Sequence, residues 1–264
     1  MIIACFSVKI NLKSFIIYTS ILVIMLSLVG IMYPSIMKSN IDIDSMLKMF
    51  PKEILKVFNM DIISISSFFG WFATEGYLFI LLLGGTYASI LGGTILLKEQ
   101  GDHTIDFLYS KPVTKNKIIT SKLLCGVFYL ILFNIFIGLT SLIVTSLVEN
   151  INLKKWMFLT IAPLMLHLFL FFLSFLVSIF FKKTSKGIGT GISLVFIFYL
   201  LNTLGNLTKK IKFLKYFSCF YYVDAREIIK NSIIKIDSII FFTVTCFMLI
   251  CLIYTVYNKK ELGK

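Results

Sequence analysis

Six long apolar runs, at 14–33, 71–97, 118–148, 156–181, 187–204 and 237–257, alternate with shorter polar stretches along the chain. Each run is long enough, as a helix rising 1.5 Å per residue, to cross roughly 30 Å of hydrocarbon. The pattern predicts an all-α integral membrane protein, with six transmembrane helices forming one domain over 1–264. The first run is expected to be a span and not a cleaved signal, because Tyr33-Pro34-Ser35 lacks the small residues of a cleavage site.

The polar stretches carry patterns of their own. Phe6, Lys9 and Lys13 are spaced as on an interfacial helix leading into the first span. In 34–70, Pro51 suits a first helical turn, and Met49, Phe50, Ile54, Leu55, Val57 and Phe58 oppose Lys52, Glu53 and Lys56. That segment reads as a helix lying on the outer membrane surface, or as a small packed cap there. In 205–236, Lys209, Lys210, Lys212 and Lys215 alternate with Ile211, Phe213 and Leu214. This predicts a half-inserted, re-entrant outer hairpin before the sixth span, its lysines snorkelling outward. Within the second span, Gly84, Gly85, Ala88, Ser89, Gly92 and Gly93 lie along one side of a helix. Such a stripe serves helix packing within the subunit or a dimer seam.

Composition agrees with the membrane class. The chain is 58% hydrophobic and 15% charged, against about half and about a quarter in soluble domains. The net charge of +13 raises nucleic acid as a partner. The basic residues are scattered between apolar runs, however, so membrane flanks explain them and no nucleic acid is expected. With both termini inside, thirteen Lys and Arg fall on each side, so their count does not orient the protein. Cys5, Cys125, Cys219, Cys246 and Cys251 show no metal-ligand or redox spacing and read as apolar filler.

The polar break at 98–122 is different in kind. It embeds the cluster Ile105, Phe107 and Leu108 among charges, which predicts a short amphipathic helix over about 100–110 that ends before Pro112. Its residues Thr104-Ile105-Asp106-Phe107-Leu108, then Ser110-Lys111-Pro112-Val113-Thr114-Lys115, Lys117-Ile118 and Lys122, resemble the first cytoplasmic loop of ABC-2 type exporter permeases. Those carry Thr-(Ile/Leu)-Glu-Phe-Leu, then Pro-Val-Ser/Thr-Arg and a Lys at the start of the next helix. Here Asp106 replaces the usual Glu and Lys115 the usual Arg; Lys cannot form the bidentate fork of Arg. The resemblance implies a bacterial cell-membrane exporter with cytoplasmic termini and a second permease copy or paralogue. Two ATP-binding subunits, which carry the ATP and Mg, are implied as further partners. The loop would then couple to the ATPase through Glu99, Asp102, Thr104, Asp106, Phe107, Leu108, Ser110, Pro112 and Lys115, with Phe107 and Leu108 filling a groove on the partner.

Other chemistry finds little support. Lys186-Gly187-Ile188-Gly189-Thr190-Gly191 lacks the spacing of a phosphate-binding loop, so this chain is not expected to be the ATPase, to be an enzyme or to hold a cofactor. Asp102 and Asp106 share a helical face and could hold Mg and a diphosphate as in membrane prenyltransferases, but no second acidic pair accompanies them on that side. His167 in the fourth span and Glu75 at the start of the second are candidates for a transport pathway, because ionisable groups inside a membrane are functional candidates. The cargo is expected to be an amphipathic peptide, antimicrobial or lipid-like compound, since the spans offer no fixed charge cluster for a small ion. A non-transporting membrane sensor or immunity protein is the alternative from another class.

Overall fold

The computed structural model describes residues 2–38, 67–98, 114–150, 152–207 and 209–259. Among these, six helices are long and apolar enough to cross a membrane, one for each apolar run. Helix α1 covers Ile2–Lys38, α2 Phe68–Ile95, α3 Lys115–Ser146, α4 Leu153–Ser178 and α5 Thr184–Leu207. A short helix, α6 (Ala225–Asn231), precedes the last span, α7 (Ile236–Lys259). The amphipathic segment expected around 49–58 lies outside the described residues.

Helices α2 to α5 each begin three residues before their apolar runs. Hydropathy marks the part that sits in hydrocarbon, whereas a helix starts where its first N–H groups find acceptors. The Ser67 hydroxyl accepts from the Gly70 amide, and the Asn152 side chain accepts from the Lys155 amide. The interfacial segment expected at 1–13 is not a separate element; it continues into the first span as one helix. No glycine or proline occurs between Ile2 and Val29, so nothing interrupts the hydrogen-bond ladder there.

Helix α2 is the centre of the bundle. Two-thirds of its apolar window is buried, against about one-sixth for α5 and for α7. It runs beside α4 along much of its length and also touches α1, α3 and α5. Small residues make this possible. Gly93 and Gly187 meet backbone to backbone, so a Cβ on either would overlap the other's carbonyl. One turn away, Ser89 lies against Gly191, so α2 and α5 present matching small residues four apart, in antiparallel register.

Six alternating spans put the start of α1 and the end of α7 on one face, together with the end of α2 and the start of α3; we call it the terminal face and its opposite the hairpin face. On the hairpin face the chain turns back after α5. Lys209–Phe217 forms 3₁₀ turns that run back along α5, with the ladder broken at Ile211. The Ser218 hydroxyl then donates to the Phe198 carbonyl at 2.6 Å. Phe198 lies nine residues before the end of α5, or about 13 Å along its axis. A second 3₁₀ turn, Cys219–Val223, ends on the Tyr77 hydroxyl, which donates to the Val223 carbonyl. From there Asp224 caps α6 and the chain leaves by the face it entered. The segment expected as a re-entrant helix thus folds back along α5, as 3₁₀ turns and not as one α-helix. Its residue types repeat every third position, as Lys209-Lys212-Lys215 and Ile211-Leu214-Phe217, matching three residues per turn.

Candidate functional site

The terminal face gathers polar contacts around both ends of the 99–113 loop. Lys98, just beyond α2, donates to the Asn11 side chain of α1 at 2.7 Å, and Asn11 is itself buried. Burial pushes the Lys98 ammonium below its ordinary pKa. Lys122 of α3 is only 1% exposed, and its ammonium donates to the Ile95 carbonyl at 2.8 Å. Ile95 ends α2, where carbonyls lack intrahelical donors and the helix dipole is negative. A cation there satisfies both the hydrogen bond and the field. The Leu97 carbonyl lies 3.5 Å from the Thr184 hydroxyl at the start of α5.

The other end of the loop is tied as well. The Lys115 ammonium donates to the Asn258 carbonyl of α7 at 3.4 Å, and the Asn258 amide donates to the Asn116 side chain at 2.8 Å. One turn deeper, the Thr120 and Tyr254 hydroxyls are 2.6 Å apart. These contacts form a polar collar in two parts: the end of α2 reaches α1, α3 and α5, and the start of α3 reaches α7. Of the coupling residues expected from sequence, Lys115 belongs to this collar. Glu99, Asp102, Thr104, Asp106, Phe107, Leu108, Ser110 and Pro112, with the short helix expected at 100–110, lie outside the described residues.

A second polar group lies in the middle of the bundle. His167 of α4 is fully buried. Its Nε2 is 3.2 Å from the Ile80 carbonyl, which can only accept, so Nε2 carries the hydrogen. Nδ1 then accepts from the Asn134 amide at 3.1 Å, and the same amide nitrogen donates to the Leu130 carbonyl. The network satisfies a neutral imidazole in one tautomer and joins α2, α3 and α4. Gly84 makes room for the ring, since a Cβ at that position would overlap it. Glu75 is half-buried in a π-helical turn of α2, Phe72–Gly76. It stands five residues nearer the hairpin face than Ile80, about 7.5 Å along the helix, and no hydrogen bond joins it to His167.

The small stripe of α2 points into this same subunit. Gly85 lies on Leu170, Ser89 bonds to Ser174 at 2.8 Å, Gly92 meets the Phe171 backbone, and Ala88 is fully buried. Sequence reasoning did not single out Asn11 or Asn134, and placed Lys122 in a motif without a role. A signal existed for Asn134: a lone amide inside an apolar span must face the bundle interior and find partners there. Lys122 carried a similar one, as an ammonium set four residues inside an apolar run.

The family model described as ABC-2 family transporter protein matches residues 6–262. Comparison with curated proteins and with solved structures returns no match.

Proposed function

The chain belongs to the ABC-2 family of transporter membrane proteins, and from that premise we propose that it forms the translocation pathway of an ATP-driven exporter worked by a separate ATP-binding subunit. The observation that carries this reading is the collar. A loop that only connected α2 to α3 would need no buried ammonium clamping α2 to α3 through the Ile95 carbonyl, and no bonds to α1, α5 and α7. A loop that receives force needs them. The ATP-binding subunit grips the 99–113 loop. Phe107 and Leu108 fill a groove on it, with Glu99, Asp102 and Asp106 supplying complementary charge. Closure of two such subunits on ATP pulls the loops of a permease dimer, made with a second copy or a paralogue, and switches the pathway between its two facings. The terminal face is then cytoplasmic and the membrane is that of a bacterial cell. The cargo is amphipathic: a peptide, an antimicrobial or a lipid-like compound. His167 serves the packing of α2, α3 and α4.

The test is purification of the tagged protein from its native cells in mild detergent, with mass spectrometry and an ATPase assay on what accompanies it. The expected result is a stoichiometric subunit bearing a phosphate-binding loop, lost or uncoupled in a Phe107→Ala, Leu108→Ala variant that still expresses. Recovery of this chain alone across several detergents, or unchanged efflux in that variant, would overturn the reading in favour of a membrane sensor or immunity protein.

A further inference from the structure

The hairpin face holds a recess of about 460 Å³ between the hairpin, α6 and the start of α7. That volume lies within the range of small-molecule sites. One wall is aromatic. Tyr216 and Tyr221 meet edge to face at 5.0 Å, Tyr221 and Tyr222 at 5.2 Å, and Tyr222 stacks flat on Phe241 at 4.0 Å. The Lys215 ammonium lies over the Tyr221 ring at 4.6 Å from its centre and over Tyr216 at 5.4 Å. The chain's own lysine therefore demonstrates that these rings seat an ammonium group. Ile228, Ile233 and Ile234 supply an apolar wall.

The charges in the recess decide what it accepts. Arg226 is paired with Asp224 at 3.0 Å and Lys235 with Glu227 at 3.1 Å. Asp237, also on the lining, has no cation within 4 Å among the described residues. It faces Tyr222, whose hydroxyl is pushed up first by burial and then by the Asp237 charge. An anion entering the recess would have to draw Lys215 off its rings and then lie beside Asp237. A cation replaces Lys215 on the rings, gains Asp237 as counter-charge, and lets the lysine swing to water on its flexible stem.

We infer that this recess binds the ammonium group of a cationic amphiphile, with Tyr216 and Tyr221 holding the headgroup, Asp237 balancing it, and Lys215 occupying the place until it is displaced. The inference goes beyond the transport reading, and it is tested without any ATPase, so either can fail while the other stands. The full chain is placed in nanodiscs of uncharged galactolipid, which carries no ammonium group, and titrated by calorimetry with sub-millimolar octyltrimethylammonium, with octyl sulfate and uncharged octyl glucoside for comparison and empty discs subtracted. The ammonium probe is expected to bind saturably and in preference to both others. Tyr221→Ala and Asp237→Asn each weaken it by roughly threefold to thirtyfold. Lys215→Gln, which removes the resident cation, tightens it, a gain that misfolding cannot imitate. No saturable binding above empty discs would overturn the inference. So would weaker binding in Lys215→Gln, or preference for octyl sulfate that Lys215→Gln abolishes.

Discussion

The two ends of α2 are held by opposite charges in opposite surroundings. At the hairpin end, the Phe69 amide donates to the Glu149 carboxylate at 3.1 Å, in an exposed setting beside the Ser67 cap. At the terminal end, the Lys122 ammonium grips the Ile95 carbonyl with its side chain removed from solvent. Both choices agree with the helix dipole, which favours anions at the start and cations at the end. They differ in what water can do once the contact is lost. Exposed amides at the hairpin end can turn to solvent, whereas a buried carbonyl at the terminal end has nowhere to turn. The same contrast runs through the rest of each face. At the end of α2, Lys122 is buried on a backbone carbonyl and Lys98 bonds the buried Asn11, whereas around the hairpin the charges sit in partly exposed ion pairs and aromatic contacts. Both ends of the central helix are packed into the bundle, as buried Phe68, Phe72 and Tyr77 show at the hairpin end; what differs is whether the charge that holds the end is buried or exposed.

The largest break in this contrast should come from the α2–α5 seam that underlies the terminal face. Gly187→Leu drives a side chain into the Gly93 backbone and should cost at least about 3 kcal/mol, the upper range of overpacking. Thermal unfolding in nanodiscs would register it as a steep fall in midpoint or as loss of monodisperse protein. Lys122→Met follows. It keeps the apolar stem but leaves the Ile95 carbonyl without its donor, a loss of about 1.5–3 kcal/mol for a charged hydrogen bond. Coupled ATPase activity should drop with stability. Were Lys122→Met as mild as Glu149→Gln, the distinction between the two ends of α2 would collapse.

In the middle of the bundle, Asn134→Leu leaves His167 Nδ1 buried without a donor and should cost about 1–3 kcal/mol. Adding His167→Phe removes the stranded group, and the double variant is expected to recover part of the loss. A double variant that loses the sum of the two singles would mean that the network adds nothing beyond packing. Smaller still, Glu149→Gln at the hairpin end should cost about 0.3–1 kcal/mol, and Lys235→Gln less than about 1 kcal/mol, because the pair it breaks is nearly half exposed.

The smallest effect has a sign that separates the faces. Hydrogen bonding to Glu227 raises the Lys235 pKa above its ordinary 10.5, whereas burial lowers that of Lys98. Lys235 therefore contributes stability that is complete below pH 10.5 and lost as pH rises through its folded value. For Lys98 the folded value is the lower one, so charging it opposes folding, and that penalty is relieved as pH rises past it. Between neutral and alkaline pH, Lys235→Gln should lose its disadvantage relative to the parent. Lys98→Gln, which has no ammonium to discharge, should fall behind it. Parallel pH curves for the two variants would contradict the assignment.

Much of this architecture is legible locally. The apolar runs locate all six spans, and the three-residue repeat of lysine and apolar residues between 209 and 217 carries the period of the turns it forms. Caps such as Ser67 and Asn152 could have corrected the helix starts, because they lie beside the runs they open. These features follow from desolvation and backbone bonding within a few residues, which a sequence states directly. The partners of Lys122, His167 and Asn11 do not follow in that way. An ammonium at position 122 is compatible with a carbonyl on any neighbouring helix, and only the crossing of α2 and α3 selects Ile95. Likewise, the glycines of α2 announce a close approach, but the side that α4 and α5 occupy emerges only when Gly93 meets Gly187 and Gly84 admits the His167 ring. The sequence by itself determined which segments leave water and where helices begin. The tertiary structure decided which polar groups of different helices meet, because each hydrogen bond between helices depends on the position of a second helix far away along the chain.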